Sequence, residues 1–208
     1  MEDNLKDRII EKGRDKFFAM GFSKVTMDEI ALDVGISKKT LYKHFASKDD
    51  FLEEVIQRQI FLVSGEINQI VSADIAFIEK LHRLCTFIGH MVSRISRQFQ
   101  EDVRRNKPGL WQRIDQLRRE KIFANFTRLF EEGAQRGLLR SNVNTEILVL
   151  MFANSVQSII NPEVLTRSSF SGEQAFQNIL SVLFEGILSD QARKQYQDII
   201  RSHKESSS

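Results

Sequence analysis

One cysteine and two prolines in 208 residues are scarce enough to remove whole classes of protein. A single thiol, Cys85, cannot form an intramolecular disulfide, which sets aside cross-linked secreted scaffolds and fits a reducing cytoplasm. Only Pro108 and Pro162, with ten glycines, interrupt the chain, so long helices are expected rather than many tight turns. Long apolar runs are missing. The longest, residues 147–153, has seven residues, against the ~20 that span a bilayer. The amino terminus, Met1-Glu-Asp-Asn-Leu-Lys-Asp-Arg, is charged and lacks the apolar core of a signal peptide. No Gly-rich phosphate loop, nucleophile elbow or metal-spaced His/Cys cluster occurs, so no catalytic site, metal or cofactor is expected. His82 and His90 are eight apart, not at the i, i+4 spacing of a helical metal pair. Charge of one sign is not in excess overall: 30 basic and 28 acidic residues leave +2. A soluble, cytoplasmic, all-helical chain of one or two domains is the expectation.

What is present is concentrated in residues 26–52. Thr26 followed by Glu29 is a capping box, opening a short helix with Ile30, Ala31 and Val34 on one face. Gly35 suits the left-handed residue that ends a helix. Ile36 can plug the corner, and Ser37 caps a second helix whose inner edge is Leu41 and Phe45. Ser47 with Asp50 caps a third. Two helices joined by a short glycine-containing turn form a helix-turn-helix. Lys38, Lys39, Lys43 and Lys48 fall within residues 36–48, with His44 and no acid, so this stretch carries +4. Local cation density matters more than the total, because phosphate contacts are local. The start of a recognition helix meets base edges, which places Lys38, Lys39 and Thr40 there; Tyr42, His44 and Lys48 suit phosphate.

The remaining sequence reads as helices. Residues 5–20 precede the motif, with Leu5, Ile9, Phe17 and Met20 apolar. From Ser47 a helix runs toward Val71, and another covers 75–97 with Ile78, Leu81, Leu84, Ile88, Met91 and Ile95 in a stripe. A short piece near 99–106 is followed by a helix from Pro108 to Arg136, about 43 Å long. Asn144 caps a helix to Ile160, Pro162 breaks it, and Ser171 opens one ending near Leu188. Ser189 starts a short last helix, and the terminal serines fray.

The residues that carry the motif resemble the DNA-binding domain of the TetR family of transcriptional regulators. The likeness runs from Phe17-Phe18-Ala19-Met20-Gly21-Phe22 through Asp28-Glu29-Ile30-Ala31 and Gly35-Ile36-Ser37. It ends in the specific run Thr40-Leu41-Tyr42-Lys43-His44-Phe45-Ala46-Ser47-Lys48, covering about fifty of the 208 residues. The resemblance implies a three-helix DNA-binding domain, residues 1–50, and a helical effector-binding and dimerising domain, residues 51–208, without enzymatic activity. On matching positions it marks Thr26, Thr40, Tyr42, His44 and Lys48 as phosphate contacts. Val34 and Lys39 depart from the common pattern, which favours smaller residues at both places.

The expected partners are an operator in double-stranded DNA, a second copy of the chain and a small effector. Residues 147–153 and the 173–188 helix are apolar on more than one face, which calls for burial on both sides. The resemblance implies a four-helix dimer interface there, with Phe152, Ile159, Phe176, Ile179, Leu180, Leu183, Phe184 and Ile187 as candidates. Two heads about 34–36 Å apart would read a palindrome. Sixteen phenylalanines and one tryptophan, with polar groups set among apolar helices, suggest an apolar pocket. Effector candidates are Cys85, His90, Trp111, Phe123 and Phe126, with Met151, Asn154 and Ser158 further on. A repressor released by an apolar or amphipathic effector is the resulting expectation. The alternatives are an effector-free DNA-binding protein of the same fold and a helical small-molecule carrier. Ser64-Gly65 interrupts a long helix and reads either as a kink point or as neutral.

Overall fold

Side-chain caps set most of the helix boundaries. Ser96, Asn144, Asn161 and Ser171 each accept the N–H of the residue three places on, from Phe99, Ile147, Val164 and Gln174 respectively. The computed structural model describes residues 2–205. Its helices are α1 (Glu2–Met20), α2 (Met27–Val34), α3 (Lys38–His44), α4 (Lys48–Ser72), α5 (Phe77–Arg94), α6 (Arg97–Asn106), α7 (Pro108–Gln135), α8 (Thr145–Ile159), α9 (Pro162–Arg167), α10 (Gly172–Ile187) and α11 (Asp190–Glu205). The fold is all-α. The one β contact among the described residues is an isolated bridge between Leu139 and Leu188.

Four elements differ from expectation, the first being α5, which covers Phe77–Arg94 rather than 75–97 because Ser96 caps α6. Pro162 does more than end α8: with Asn161 as cap it opens α9, because a first-turn proline has no N–H that the helix needs. The last helix is not short but 16 residues long, held by buried Ala192 and Tyr196. The first begins at Glu2, three residues earlier than its apolar pattern suggests. The terminal serines 206–208 lie outside the described residues. No helix among the described residues is long and apolar enough to cross a membrane.

Packing divides the chain into two compact units. One comprises Met1–Ser64 and Arg94–Gln116; the other comprises Gly65–Ser93 and Leu117–Ser208. The first unit therefore holds α1–α3, the start of α4, α6 and the start of α7. Its core is aromatic: Phe51 lies 5.5 Å from Phe17 and 4.6 Å from Phe45, and Phe18 lies 4.9 Å from Phe99, ring centroid to centroid. Edge and tilted contacts of this kind add to the apolar burial. The functional division expected at residue 50 is a different one from this packing division, which assigns α6 to the same unit as the helix-turn-helix.

The second unit is built on a run of rings. Phe126 sits 4.1 Å from Phe152, Phe152 meets Phe176, and Phe130 meets Phe184, which in turn meets Tyr196. Lys80, almost fully buried, donates to Glu132 at 2.8 Å, so the buried charge has its partner. These packings reassign part of the expected dimer surface. Phe152, Phe176, Leu180, Phe184 and Ile187 fill the chain's own core; enclosed side chains cannot meet a second copy. What α8 and α10 leave to solvent is Ile147, Leu150, Met151 and Val182, flanked by half-buried Ile159, Ile179 and Leu183.

Candidate nucleic-acid interface

Both caps expected around the helix-turn-helix form. The Thr26 hydroxyl accepts from Glu29 N–H at 3.2 Å, and the Glu29 carboxylate accepts from Thr26 N–H at 2.7 Å. The Thr26 backbone bond, then its hydroxyl, hold Glu29 below its ordinary carboxyl range. Gly35 takes φ 78°, where a side chain would be strained, and its N–H returns to Ala31 and Leu32 while Ile36 N–H bonds Ala31. Arg8 of α1 donates to the carbonyl of Val34, a further partner for the open end of α2. Ser37 then caps α3, accepting from Thr40 N–H at 3.0 Å. Leu41 and Phe45 are buried, and they fix which face of α3 looks outward. Phe45 is the residue closing α3 rather than part of it.

The outward face carries the expected cations. Lys39, Tyr42 and Lys43 are exposed; Thr40 and His44 are half-buried. Thr40 shares a 2.8 Å hydrogen bond with the Ser37 hydroxyl. Lys38 departs from expectation. Its ammonium is held by Asp28 of α2, 2.8 Å from Oδ1 and 3.0 Å from Oδ2. That bond, with the charge behind it, raises the Lys38 pKa. A count confined to residues 36–48 passes over this acid because it lies ten residues upstream.

Lys48 opens α4 next to the Ser47 cap, whose hydroxyl accepts from Asp50 N–H at 3.0 Å. Its ammonium lies 4.3 Å from the centroid of the Phe22 ring, within cation–π range. Burial holds Lys48 below the ordinary lysine value, against Asp102, Asp49 and Glu29, which favour its charge. A partly desolvated cation beside an aromatic ring is placed rather than waving in solvent.

A second layer of contacts escaped sequence reasoning. Asp102 of α6 accepts from both the N–H and the hydroxyl of Ser23, in the loop before Thr26. Asn106 donates to the same serine hydroxyl, and Ser96 N–H donates to Phe18 carbonyl. Lys107 pairs with Asp49, and Arg113 with Glu53. The loop that presents Thr26 is thus tied to Asp102 and Asn106, 79 and 83 positions after Ser23, and no local pattern signals such bonds.

Residues 9–55 match the model for bacterial regulatory proteins of the tetR family. Over 176 residues the chain is 26% identical to the HTH-type transcriptional regulator YvaF of Bacillus subtilis (strain 168), covering 82% of this chain and 89% of YvaF. Residues 9–55 are thus a DNA-binding domain of the tetR-family type, in a chain similar over most of its length to bacterial transcriptional regulators. The chain is also 23% identical to the HTH-type transcriptional repressor KstR2 of Mycolicibacterium smegmatis (strain ATCC 700084 / mc(2)155), over 91% of its length and 93% of that protein. Its fold matches that of the SmeT–triclosan complex with a TM-score of 0.62 at 15% identity, covering 91% of this chain and 94% of that one. Its helix-turn-helix makes it a DNA-binding regulator, and the relatives are regulators rather than enzymes.

The expected effector residues are dispersed. Trp111 packs against the core of the first unit, whereas the other seven belong to the second. Phe126 is a core ring. Met151, Asn154 and Ser158 are exposed along α8, and Phe123 and His90 are exposed on α7 and α5. Cys85 is half-buried, and burial of the thiol pushes its pKa up. Asn125, a buried polar residue of α7, donates to Lys121 carbonyl at 2.8 Å within its own helix.

Proposed function

We propose that the chain is a homodimeric repressor that holds a palindromic operator and leaves it when a small apolar or amphipathic effector binds residues of the 51–208 region. The observation that carries the DNA half is the capped α2–turn–α3 module with Lys39, Tyr42 and Lys43 exposed and Lys48 placed against Phe22. Lys38, Lys39 and Thr40 face the bases in this reading. Thr26, Tyr42, His44 and Lys48 take phosphates, which set register without reading sequence.

The dimer half is supported by the apolar groups that α8 and α10 leave exposed, Ile147, Leu150, Met151 and Val182, since exposed apolar surface beyond scattered single residues marks an interface. Cys85, His90, Phe123, Met151, Asn154 and Ser158 are the candidates for effector contact. The effector acts by favouring a conformation whose two heads no longer fit the half-site spacing, a population shift. The cytoplasm is the compartment where such a protein works, and no step in this reading is catalytic.

Sequencing of genomic fragments retained by the purified protein tests this, with a Tyr42→Ala, Lys48→Ala double variant as control. The expected result is a palindromic site that the variant fails to retain, with the adjacent genes nominating an effector class for ligand-induced release. Fragments enriched without a shared motif would overturn the operator reading.

A further inference from the structure

We propose that Asp28 is a specificity-determining residue of the DNA interface, its carboxylate and the Lys38 ammonium together presenting an acceptor beside a donor that matches the major-groove edge of one G·C pair. The inference rests on α3 being the recognition helix. Lys38 is the first residue of α3 and Asp28 is the second of α2, so the pair bridges the two helices where the module faces DNA. Both carboxylate oxygens lie within 3.0 Å of Nζ, and both side chains are more than half exposed. Exposed pairs of this kind contribute little to stability, so a role in holding the fold is a poor account of the contact.

The chemistry argues for recognition instead. A lysine ends in a mobile point charge with three donors, and beside DNA it goes to the nearest phosphate unless something holds it. Among the described residues no ion pair engages Lys39 or Lys43; only Lys38 of the α3 lysines is held. A carboxylate at the same surface repels phosphate, and it is tolerated in the groove where it meets a donor. Major-groove donors are the N4 amine of cytosine and the N6 amine of adenine. Guanine offers O6 and N7 together to an ammonium, and its partner cytosine places N4–H2 beside O6. A held Lys38–Asp28 pair therefore meets guanine with its cation and cytosine with its carboxylate. Lys38 keeps one donor for the base after its bonds to the two Asp28 oxygens.

Selection from a randomised half-site library, followed by salt titration of binding, tests this on the full chain and on Asp28→Asn, Asp28→Glu, Lys38→Ala and the Asp28→Asn, Lys38→Ala double variant. Expected for the parent chain is a G·C preference at one position of each half-site. Asp28→Asn should weaken that preference about tenfold, strengthen binding to unrelated DNA and steepen the salt slope by about one. Asp28→Glu should retain part of the base preference, and the double variant should be no worse at that position than Lys38→Ala alone. All variants should melt together with the parent chain. A parent motif left unchanged by Asp28→Asn, or an A·T preference at the affected position, overturns the role of Asp28 while leaving the recognition helix intact. A parent chain that selects no motif removes the recognition helix, and this inference with it.

Discussion

Asp102 accepts the N–H and the hydroxyl of Ser23 at 2.5 Å each, joining α6 to the loop three residues before the Thr26 cap. Burial works to raise the Asp102 pKa, but the Ser23 hydroxyl and N–H, then Asn106 and Lys48, outweigh it and hold the pKa below its ordinary 3.8. A carboxylate with a lowered folded-state pKa contributes stability above the unfolded value and loses it as pH falls through the folded one. Asp102→Asn is therefore expected to lower the thermal midpoint at pH 7. The gap to the parent chain should narrow as pH drops below 3.8. Melting curves at several pH values check this; a gap independent of pH would assign the loss to shape rather than charge.

Lys48 and Lys39 should fail differently. With Lys48 proposed as a phosphate contact, Lys48→Ala is expected to weaken binding to every sequence and to reduce the salt slope by about one. Lys39→Ala should relax choice at particular base pairs. Competition binding with operator and unrelated duplex separates the two, and like behaviour of both variants would contradict the division of roles.

Gly13 lies under Phe51. A methyl group there would come within 2.1 Å of Phe51 Cζ and 2.5 Å of Cε1, and that ring is fully buried between Phe17 and Phe45. Overpacking of this kind costs about 1–3 kcal/mol, more than the ~1 kcal/mol that alanine gains in a helix. Gly13→Ala should lower the urea midpoint. A raised midpoint would mean that the Phe51 ring has room to turn away.

At Gly65 the opposite holds. Nothing lies within 4 Å of an added methyl, and the residue sits within α4 where the two packing units divide. Gly65→Ala is expected to raise stability by up to ~1 kcal/mol with operator affinity unchanged. Higher stability accompanied by weaker operator binding would instead mark Gly65 as a point of bending that DNA binding uses.

Charge placed on the outer side of α10 should separate the copies. Val182 is 72% exposed, more than any other apolar residue of α10, so Val182→Lys leaves the core untouched. Light scattering is expected to give half the mass of the parent chain with an unchanged helical spectrum. A dimer that survives both this change and Leu150→Lys would place the interface elsewhere.

Much of the head was legible because its determinants are local. Thr26 with Glu29, Ser37 with Thr40 and Ser47 with Asp50 each act across three residues, and that spacing is visible in any chain. The body was harder to read. An apolar helix announces that both its sides are greasy without saying which one faces home; only the fold shows Phe152 against Phe126, Phe176 against Phe152 and Phe184 against Phe130. Asp102 and Ser23 are separated by 79 residues, beyond the reach of any periodicity. Asp28 stands in plain view in the sequence, but its hold on Lys38 depends on how α2 and α3 cross.

The sharing of one core between residues 1–64 and 94–116 bears on how regulators of this build can be recombined. A head cut at residue 64 would leave behind Phe99 and Val103 and bare the side of Phe18 that Phe99 covers. It would also lose the acceptor for the Ser23 loop. A chimera that transplants this DNA specificity onto a foreign sensor therefore calls for a graft in two pieces, with the second matched to the first. Swapping the helix-turn-helix alone would import the reading head without the brace that sets its loop.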